Sequence, residues 1–362
     1  MQLFIPGPVS VRKDVLDAQT IEMIGHRSQG FKDLFASIEP TLQEILYTKN
    51  TVIISSSSGS GLMEGAIRNL VSEKVLVCVS GAFGKKWASI AKSCGKKVDI
   101  LESEWGSAIS KEELAKKIAE NNYDAVCITH NETSTGVMNN LEELVPLVKE
   151  KNILVLVDAV SSMAGSKIEV DKLGVDVCLA SSQKCFGLPA GLAFASISEK
   201  ALVKANTITD RGYYFDFVEL IKEAKESQTP YTPAISLMYA AKKALELIKE
   251  EGIEERFARH KQLGEKTRAW AKQNGFELFV TDNSYSNTVT CITNTPGIDL
   301  KDLKKRLMIK GYFMDTGYGK LNEKLISEGK KDTFRIPHMA WLSEEDLEKY
   351  LETILTTIKE MQ

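Results

Sequence analysis

Short β-branched runs recur along the first two-thirds of the chain, and their spacing leaves few folds open. They are "TVIISS" (51–56), "VLVCVSG" (75–81), "KVDIL" (97–101), "DAVCITH" (124–130), "ILVLVDAV" (153–160), "VDVCLAS" (175–181) and "LAFAS" (192–196). Amphipathic segments separate the first five: "SGLMEGAIRNLVS", "FGKKWASIAKSCG", "SKEELAKKIAENN" and "NLEELVPLVKEKN". Several of these begin on a Ser or Asn cap with Glu a few residues on, which supports a helix start. Strands that are apolar throughout, alternating with helices, predict a mostly parallel sheet covered on both faces.

After about residue 236 the pattern changes. "ISLMYAAKKALELIKEEG" is a long helix with apolar residues at helical spacing, and a second helix follows. Separated strands come next, "FELFV", "NTVTCIT", "GYFMD" and "TFRIPHM", with helices over 299–310 and 343–360. This predicts a smaller α+β domain. The opening "MQLFIPGPVSVR" is not helical through Pro6 and Pro8. It reads as an arm lying on something. The expected division is an arm over 1–14, a large domain over 15–240 and a small domain over 241–362.

Composition narrows the function. The chain has 362 residues, 43% of them hydrophobic, enough for a large core. Lys and Arg total 46 against 49 Asp and Glu, a net charge of −3. Nothing in that balance attracts nucleic acid or an anionic membrane. No apolar run reaches the ~18 residues of a membrane span, and the start lacks the basic and apolar regions of a signal peptide. Six scattered cysteines without a C-x-x-C read as reduced thiols, hence a cytoplasmic protein. Four histidines without paired spacing predict no metal site.

The ends of the apolar runs carry the chemistry. In a parallel sheet the carboxyl ends of the strands share one edge, where ligands bind. "SSSSGSG" follows the first run, "SGAFG" the second, "HNETSTG" the fourth, "DAVSS" is the end of the fifth, and "SSQK" follows the sixth. Ser58, Gly59, Ser60, Phe83, Thr133, Asp158 and Lys184 are therefore expected to converge on one pocket. Small residues leading into a helix suit a phosphate, because backbone N–H groups and the helix N-terminus favour an anion. A capped turn without ligand is the alternative. A dinucleotide site is disfavoured: the spacing is G-x-G-x-x-x-G and the next strand ends without an acidic residue. A phosphate cradle, an aromatic face, a buried carboxylate, a hydroxyl and a lysine together suit pyridoxal 5′-phosphate. Lys184 would hold its aldehyde as a Schiff base, Asp158 would pair with the ring nitrogen, Phe83 would stack and Thr133 would donate to the phenolic oxygen.

With "PGPVSV", "MIGHRSQGF", "SGSGLMEGAIRN", "THNETSTGV", "VDAVSS", "SSQK", "TPAISLMYA" and "FRIPHMA" in this order, the sequence resembles the class V aminotransferases of the fold-type-I pyridoxal-phosphate enzymes, in the branch of alanine–glyoxylate and serine–pyruvate aminotransferases. The resemblance implies an α/β large domain with a mostly parallel seven-stranded sheet, like that of aspartate aminotransferase, and a smaller C-terminal α+β domain. It implies that Gln183 supports the phosphate and Val160 packs on the second ring face. It also implies a homodimer with shared sites, in which Thr232 of "TPYTP" reaches the partner's phosphate, with Tyr231 and Thr229 as alternatives.

Arg335 matches the family's arginine for the substrate carboxylate, and the guanidinium fork suits that task on physical grounds alone. His26 and Arg27 are a candidate second anion site. It would serve a phosphoserine (or aspartate):2-oxoglutarate aminotransferase, unless Arg27 simply fixes the arm. The expected activity is ping-pong transfer of an amino group between alanine or serine and glyoxylate or pyruvate. A lyase on the same fold is a further alternative. The only late cysteine, Cys291, lies inside a strand-like run, which argues against a cysteine desulfurase.

Overall fold

A computed structural model describes all 362 residues. Seven strands form the main sheet, in the spatial order Val52–Ser55, Ala193–Ile197, Val177–Ser181, Leu154–Asp158, Ala125–Thr129, Lys74–Val79, Lys97–Glu102. Six run parallel to one another; Ala193–Ile197 is antiparallel to both its neighbours. Each expected strand forms, with ends shifted by a few residues at most. The central strands are buried at every position, as helices on both faces require. The edge strand Lys97–Glu102 is the exception: none of its residues is fully buried, and Lys97, Ile100 and Glu102 are exposed.

The four amphipathic segments become the helices Gly59–Leu70, Ala82–Ser93, Lys111–Glu120 and Leu141–Glu150. Ser110 and Asn140 cap the last two by accepting the Glu113 and Glu142 N–H groups. Helices at Glu199–Asn206 and Phe217–Lys225 and a small hairpin, Asn131–Glu132 with Val137–Met138, add to what periodicity suggested.

Two apolar cores result. The larger holds 77 buried residues around the seven-stranded sheet. The smaller holds 16, among them Phe4, Trp270, Leu303, Phe334 and Tyr350. The expected division at 240/241 falls within the helix Ile235–Glu251, whose buried residues, through Ile248, all join the larger core. Glu277–Leu278, Val289–Thr293 and Thr333–Pro337 form one three-stranded antiparallel sheet. The fourth strand of this half, Tyr312–Met314, pairs instead with the arm, Gln2–Phe4, in parallel. The arm thus lies on the smaller core, with Phe4 stacked on Tyr350 at 3.6 Å between ring centroids.

The lysine-bearing loop is tied to the C-terminal half by one buried cation. Arg256 donates from Nε to the Ala164 carbonyl (3.0 Å) and from Nη2 to the Cys185 carbonyl (2.6 Å). Its Nη1 pairs with Glu251 (2.5 Å), and its guanidinium lies 4.4 Å from the Trp341 ring centre. Trp341 in turn donates to the Gly187 carbonyl (2.9 Å). Burial pulls the Arg256 pKa down to about 10, the cost of withdrawing this charge from water. Arg256→Ala leaves two buried carbonyls without their donor, while Glu251 keeps Arg259 (2.6 Å). It should cost about 2–4 kcal/mol of stability, read as a lower midpoint in urea unfolding.

Candidate active site

The carboxyl ends of five parallel strands meet around a cavity of about 230 Å³. Ser58, Gly59, Ser60, Phe83, Thr133, Asp158, Val160, Gln183 and Lys184 all line it, joined by Met63, Lys86, Asn131, Ser161 and Ser181. The convergence expected from the strand ends is therefore a feature of the molecule.

At one end the helix Gly59–Leu70 points its N-terminus at the cavity. Ser58 occupies the cap position, yet its hydroxyl accepts no helix N–H. The Gly61 N–H donates to the Ser58 carbonyl (2.9 Å), but those of Gly59 and Ser60 have no partner in the chain, so they favour an anion. Gly59 is required by space. A Cβ there would stand 2.6 Å from Val160 Cγ2, so any side chain would push Val160 off the cavity wall. Ser181 Oγ donates to Gln183 Oε1 (2.5 Å), which fixes the glutamine beside this loop.

Phe83 is placed from elsewhere in the chain. Its helix, Ala82–Ser93, starts at Gly81, which has no side chain to cap it. Glu132 supplies the cap instead. It accepts the N–H groups of Phe83 (2.9 Å) and Gly84 (3.1 Å), while Ser134 Oγ accepts that of Ala82 (3.0 Å). Burial pushes the Glu132 carboxyl upward, and these N–H donors together with Ser134 oppose the shift. Glu132 is thus a positioning residue, set by a loop some fifty residues away in sequence.

Asp158 ends the central strand and is 3% exposed. Its Oδ1 accepts the Val160 N–H (2.8 Å), and no other donor of the chain reaches the carboxylate. Burial pushes its pKa up to about 7. Thr133 Oγ1 and Ser161 Oγ share a hydrogen bond of 2.6 Å nearby. Asn131 Oδ1 is buried without a partner, an unmet acceptor on the cavity wall.

Lys184 is buried beneath the arm. Its Nζ donates to the Pro6 carbonyl, and the Val9 N–H donates to the Gln183 carbonyl (3.2 Å). Gly7, at φ +104°, passes so close that a Cβ would fall 2.6 Å from Lys184 Cδ. Burial, and then the charge of Arg335, lower the Lys184 pKa to about 8. No ion pair forms between Lys184 and Asp158.

Arg335 comes from the strand Thr333–Pro337 and is 8% exposed. Its Nη1 donates to the carbonyl of Thr133 (2.9 Å), a residue of the cavity wall, although Arg335 itself does not line the cavity. Its Nε and Nη2 grip Asp315 (2.8 and 2.9 Å), a residue sequence reasoning did not single out.

His26, Arg27 and Thr232 do not line the cavity of their own chain. Arg27 is committed to the segment around residue 229. It donates to Gln228 Oε1 (3.0 Å) and to the carbonyls of Thr229 (2.6 Å) and Pro230 (3.0 Å), 3.9 Å from Glu223. Within the protomer its guanidinium ties its own segment to residues 228–230 rather than to the arm. Thr229 is buried and donates to the Tyr231 carbonyl (2.8 Å), whereas Thr232 is exposed. Of the three candidates near 230, Thr232 is the free hydroxyl. Cys291 is buried in the strand Val289–Thr293, and burial pushes its pKa up to about 12, as it does for Cys185. Neither thiol has the exposure or depressed pKa of a nucleophile.

Comparison with known proteins agrees with this geometry. Residues 14–349 match the family model described as aminotransferase class V. A serine–glyoxylate aminotransferase of Arabidopsis thaliana is 34% identical, over 94% of this chain and 86% of that protein. An alanine–glyoxylate aminotransferase structure from Nostoc sp. superposes with a TM-score of 0.91 at 28% identity, covering 98% of this chain and 94% of that one. An aspartate aminotransferase structure from Thermus thermophilus gives a TM-score of 0.90 at 28% identity over the whole of both chains. The chain belongs to the class V aminotransferases and has the fold of the type-I pyridoxal-phosphate enzymes.

Proposed function

We propose that the protein is a pyridoxal-phosphate-dependent aminotransferase acting between alanine or serine and glyoxylate or pyruvate, by a ping-pong scheme. The observation that carries this reading is the pair of buried, opposite charges, Lys184 and Asp158, on one cavity with a free helix N-terminus at its end.

The residues fit the cofactor on three counts. Asp158 lacks a second donor, and burial opposes its ionisation; a cationic ring N–H beside it would answer both. The Ser58–Ser60 turn, kept open by Gly59, suits a phosphate. Lys184 is the one lysine buried on this wall. Bound there, pyridoxal phosphate supplies an electron sink that acidifies the substrate Cα–H.

The chain's own groups do the rest. Asp158 would keep a proton on the ring nitrogen. Ser58, Ser60 and Gln183 would hold the phosphate, and Phe83 and Val160 would pack on the ring. Thr133 would donate to the phenolic oxygen. Arg335 holds the substrate carboxylate and so orients the Cα–H bond. Lys184 Nζ, with its pKa depressed by burial, moves the proton from Cα as base and returns it as acid. The arm over Lys184 excludes water.

The exposed Thr232 supports a homodimer in which this hydroxyl completes the partner's phosphate site. Six free cysteines support a reducing, cytoplasmic setting, and no helix is long and apolar enough to cross a membrane. Small donors are favoured over phosphoserine because Arg27, the candidate for a distal anion, is spent on residues 228–230.

The deciding experiment is a half-reaction screen of alanine, serine, phosphoserine, aspartate and glutamate against glyoxylate, pyruvate and 2-oxoglutarate. Absorbance changes that reverse on adding oxo acid identify donor and acceptor; a lyase gives no such reversal. Lys184→Ala should lower kcat by at least ~10³-fold while the donor still binds; near-normal turnover would remove Lys184 from proton transfer. Asp158 gives a pH signature in cofactor-free protein. Its carboxyl titrates near 3.8 unfolded and about 7 folded, so the folded state holds the extra proton between these values. Stability should fall as pH rises from about 4 to about 7, by up to about 4 kcal/mol from this group. Asp158→Asn should remove that slope in urea titrations at pH 5, 6 and 7.5.

A further inference from the structure

The bidentate face of Arg335 is already taken. Asp315 Oδ1 accepts from Nε at 2.8 Å and Oδ2 from Nη2 at 2.9 Å, and the two side chains are 13% and 9% exposed. Asp315 is firmly held. Its Oδ1 also accepts the Gly317 N–H (2.8 Å), its own N–H donates to the Phe4 carbonyl of the arm (3.1 Å), and its backbone bridges to that of Arg335. With Nη1 on the Thr133 carbonyl, three of the five guanidinium N–H groups are used before any ligand arrives.

We propose that Asp315 is a specificity-determining residue. As an internal counter-ion on Arg335 it restricts the site to small acids carrying one carboxylate and excludes those with a second anionic group. The proposal rests on the reading of Arg335 as the carboxylate anchor. An Arg335 without Asp315 would be a nearly buried cation with a single carbonyl acceptor, and any carboxylate would relieve it strongly. With Asp315 in place the charge is already balanced. A substrate carboxylate then binds through the remaining N–H groups, or by displacing Asp315, and leaves one excess negative charge. A second anionic group meets that excess inside a cavity of low dielectric, where repulsion is poorly screened. Arg27 is committed elsewhere, and Lys86, one helical turn beyond Phe83, is exposed to water that screens it.

The test is calorimetric titration of the full-length, cofactor-loaded protein with propionate and with succinate, in the wild type, Asp315→Asn and Arg335→Ala. The wild type should bind propionate at least ~10-fold tighter than succinate. Asp315→Asn should tighten propionate binding and shrink that preference by ~10-fold or more. In steady-state assays the same variant should raise kcat/KM for aspartate relative to alanine. A wild type that prefers succinate overturns the proposal whether or not the variant folds. So does an Asp315→Asn variant with unchanged or weaker propionate binding, since Asp315 would then only orient Arg335. If Arg335→Ala binds propionate as the wild type does, the anchor assignment falls and takes the proposal with it. If only Asp315→Asn is silent, the anchor stands and the proposal alone falls.

Discussion

Asp158 and Lys184 are buried on one cavity without being paired, and the rest of the site is arranged around that fact. The strands that carry them are neighbours in the sheet, with Asp158 opposite Leu179, so the fold brings the two charges to the same edge. Burial disfavours both ionised forms, and each pKa moves towards neutrality accordingly. A direct ion pair would relieve the strain and leave neither group free for a ligand. The groups around them are small hydroxyls, an orphaned amide oxygen and a helix N-terminus. Together they leave polar groups unmet on a wall that Phe83, Val160 and Met63 otherwise make apolar. The proposed substrate end follows the opposite rule. There Arg335 is compensated in advance by Asp315.

Both ends depend on the joint between the two cores. Arg256 grips the carbonyl next to Lys184 from a helix of the C-terminal half, and Trp341 adds a second tie to the same loop. The arm makes the third. It pairs with Tyr312–Met314, passes Asp315 at the Phe4 carbonyl, covers Lys184 at the Pro6 carbonyl and reaches Gln183 at Val9. One extended segment therefore touches the proposed base and the counter-ion of the proposed anchor. Relative motion of the cores would be felt at both.

Much of the scaffold is legible in the sequence because its signals are local. Apolar runs of strand length, caps such as Ser110 and Asn140, and small residues at strand ends each depend on a few neighbours. The parallel edge then places Ser58, Phe83, Thr133, Asp158 and Lys184 together by topology alone. What stays hidden is set by contacts between distant segments. Glu132 reaches Phe83 across 49 positions and Asp315 meets Arg335 across 20, with no periodicity to announce either. The strand Tyr312–Met314 looks like its neighbours in sequence, and only tertiary packing gives it to the arm. "GHRSQGF" shows the limit from the other side. A His-Arg pair reads as an anion site, and nothing in the local sequence announces that Arg27 donates to the carbonyls of Thr229 and Pro230, some two hundred residues away.

The two ends also act on each other through charge. Arg335 lowers the pKa of Lys184, while Asp158 and Asp315 raise it. Asp315 therefore does more than occupy the guanidinium. By opposing the field of Arg335 it keeps that cation from driving the lysine further towards neutrality while the site is empty. A carboxylate settling on Arg335 adds negative charge on the same side and favours the protonated lysine. Removal of the product anion restores the balance. A bound carboxylate thus raises the basicity of Nζ, which strengthens it as the acceptor of the Cα proton. Asp315, held in place by the Gly317 N–H and the arm, contributes to the same field.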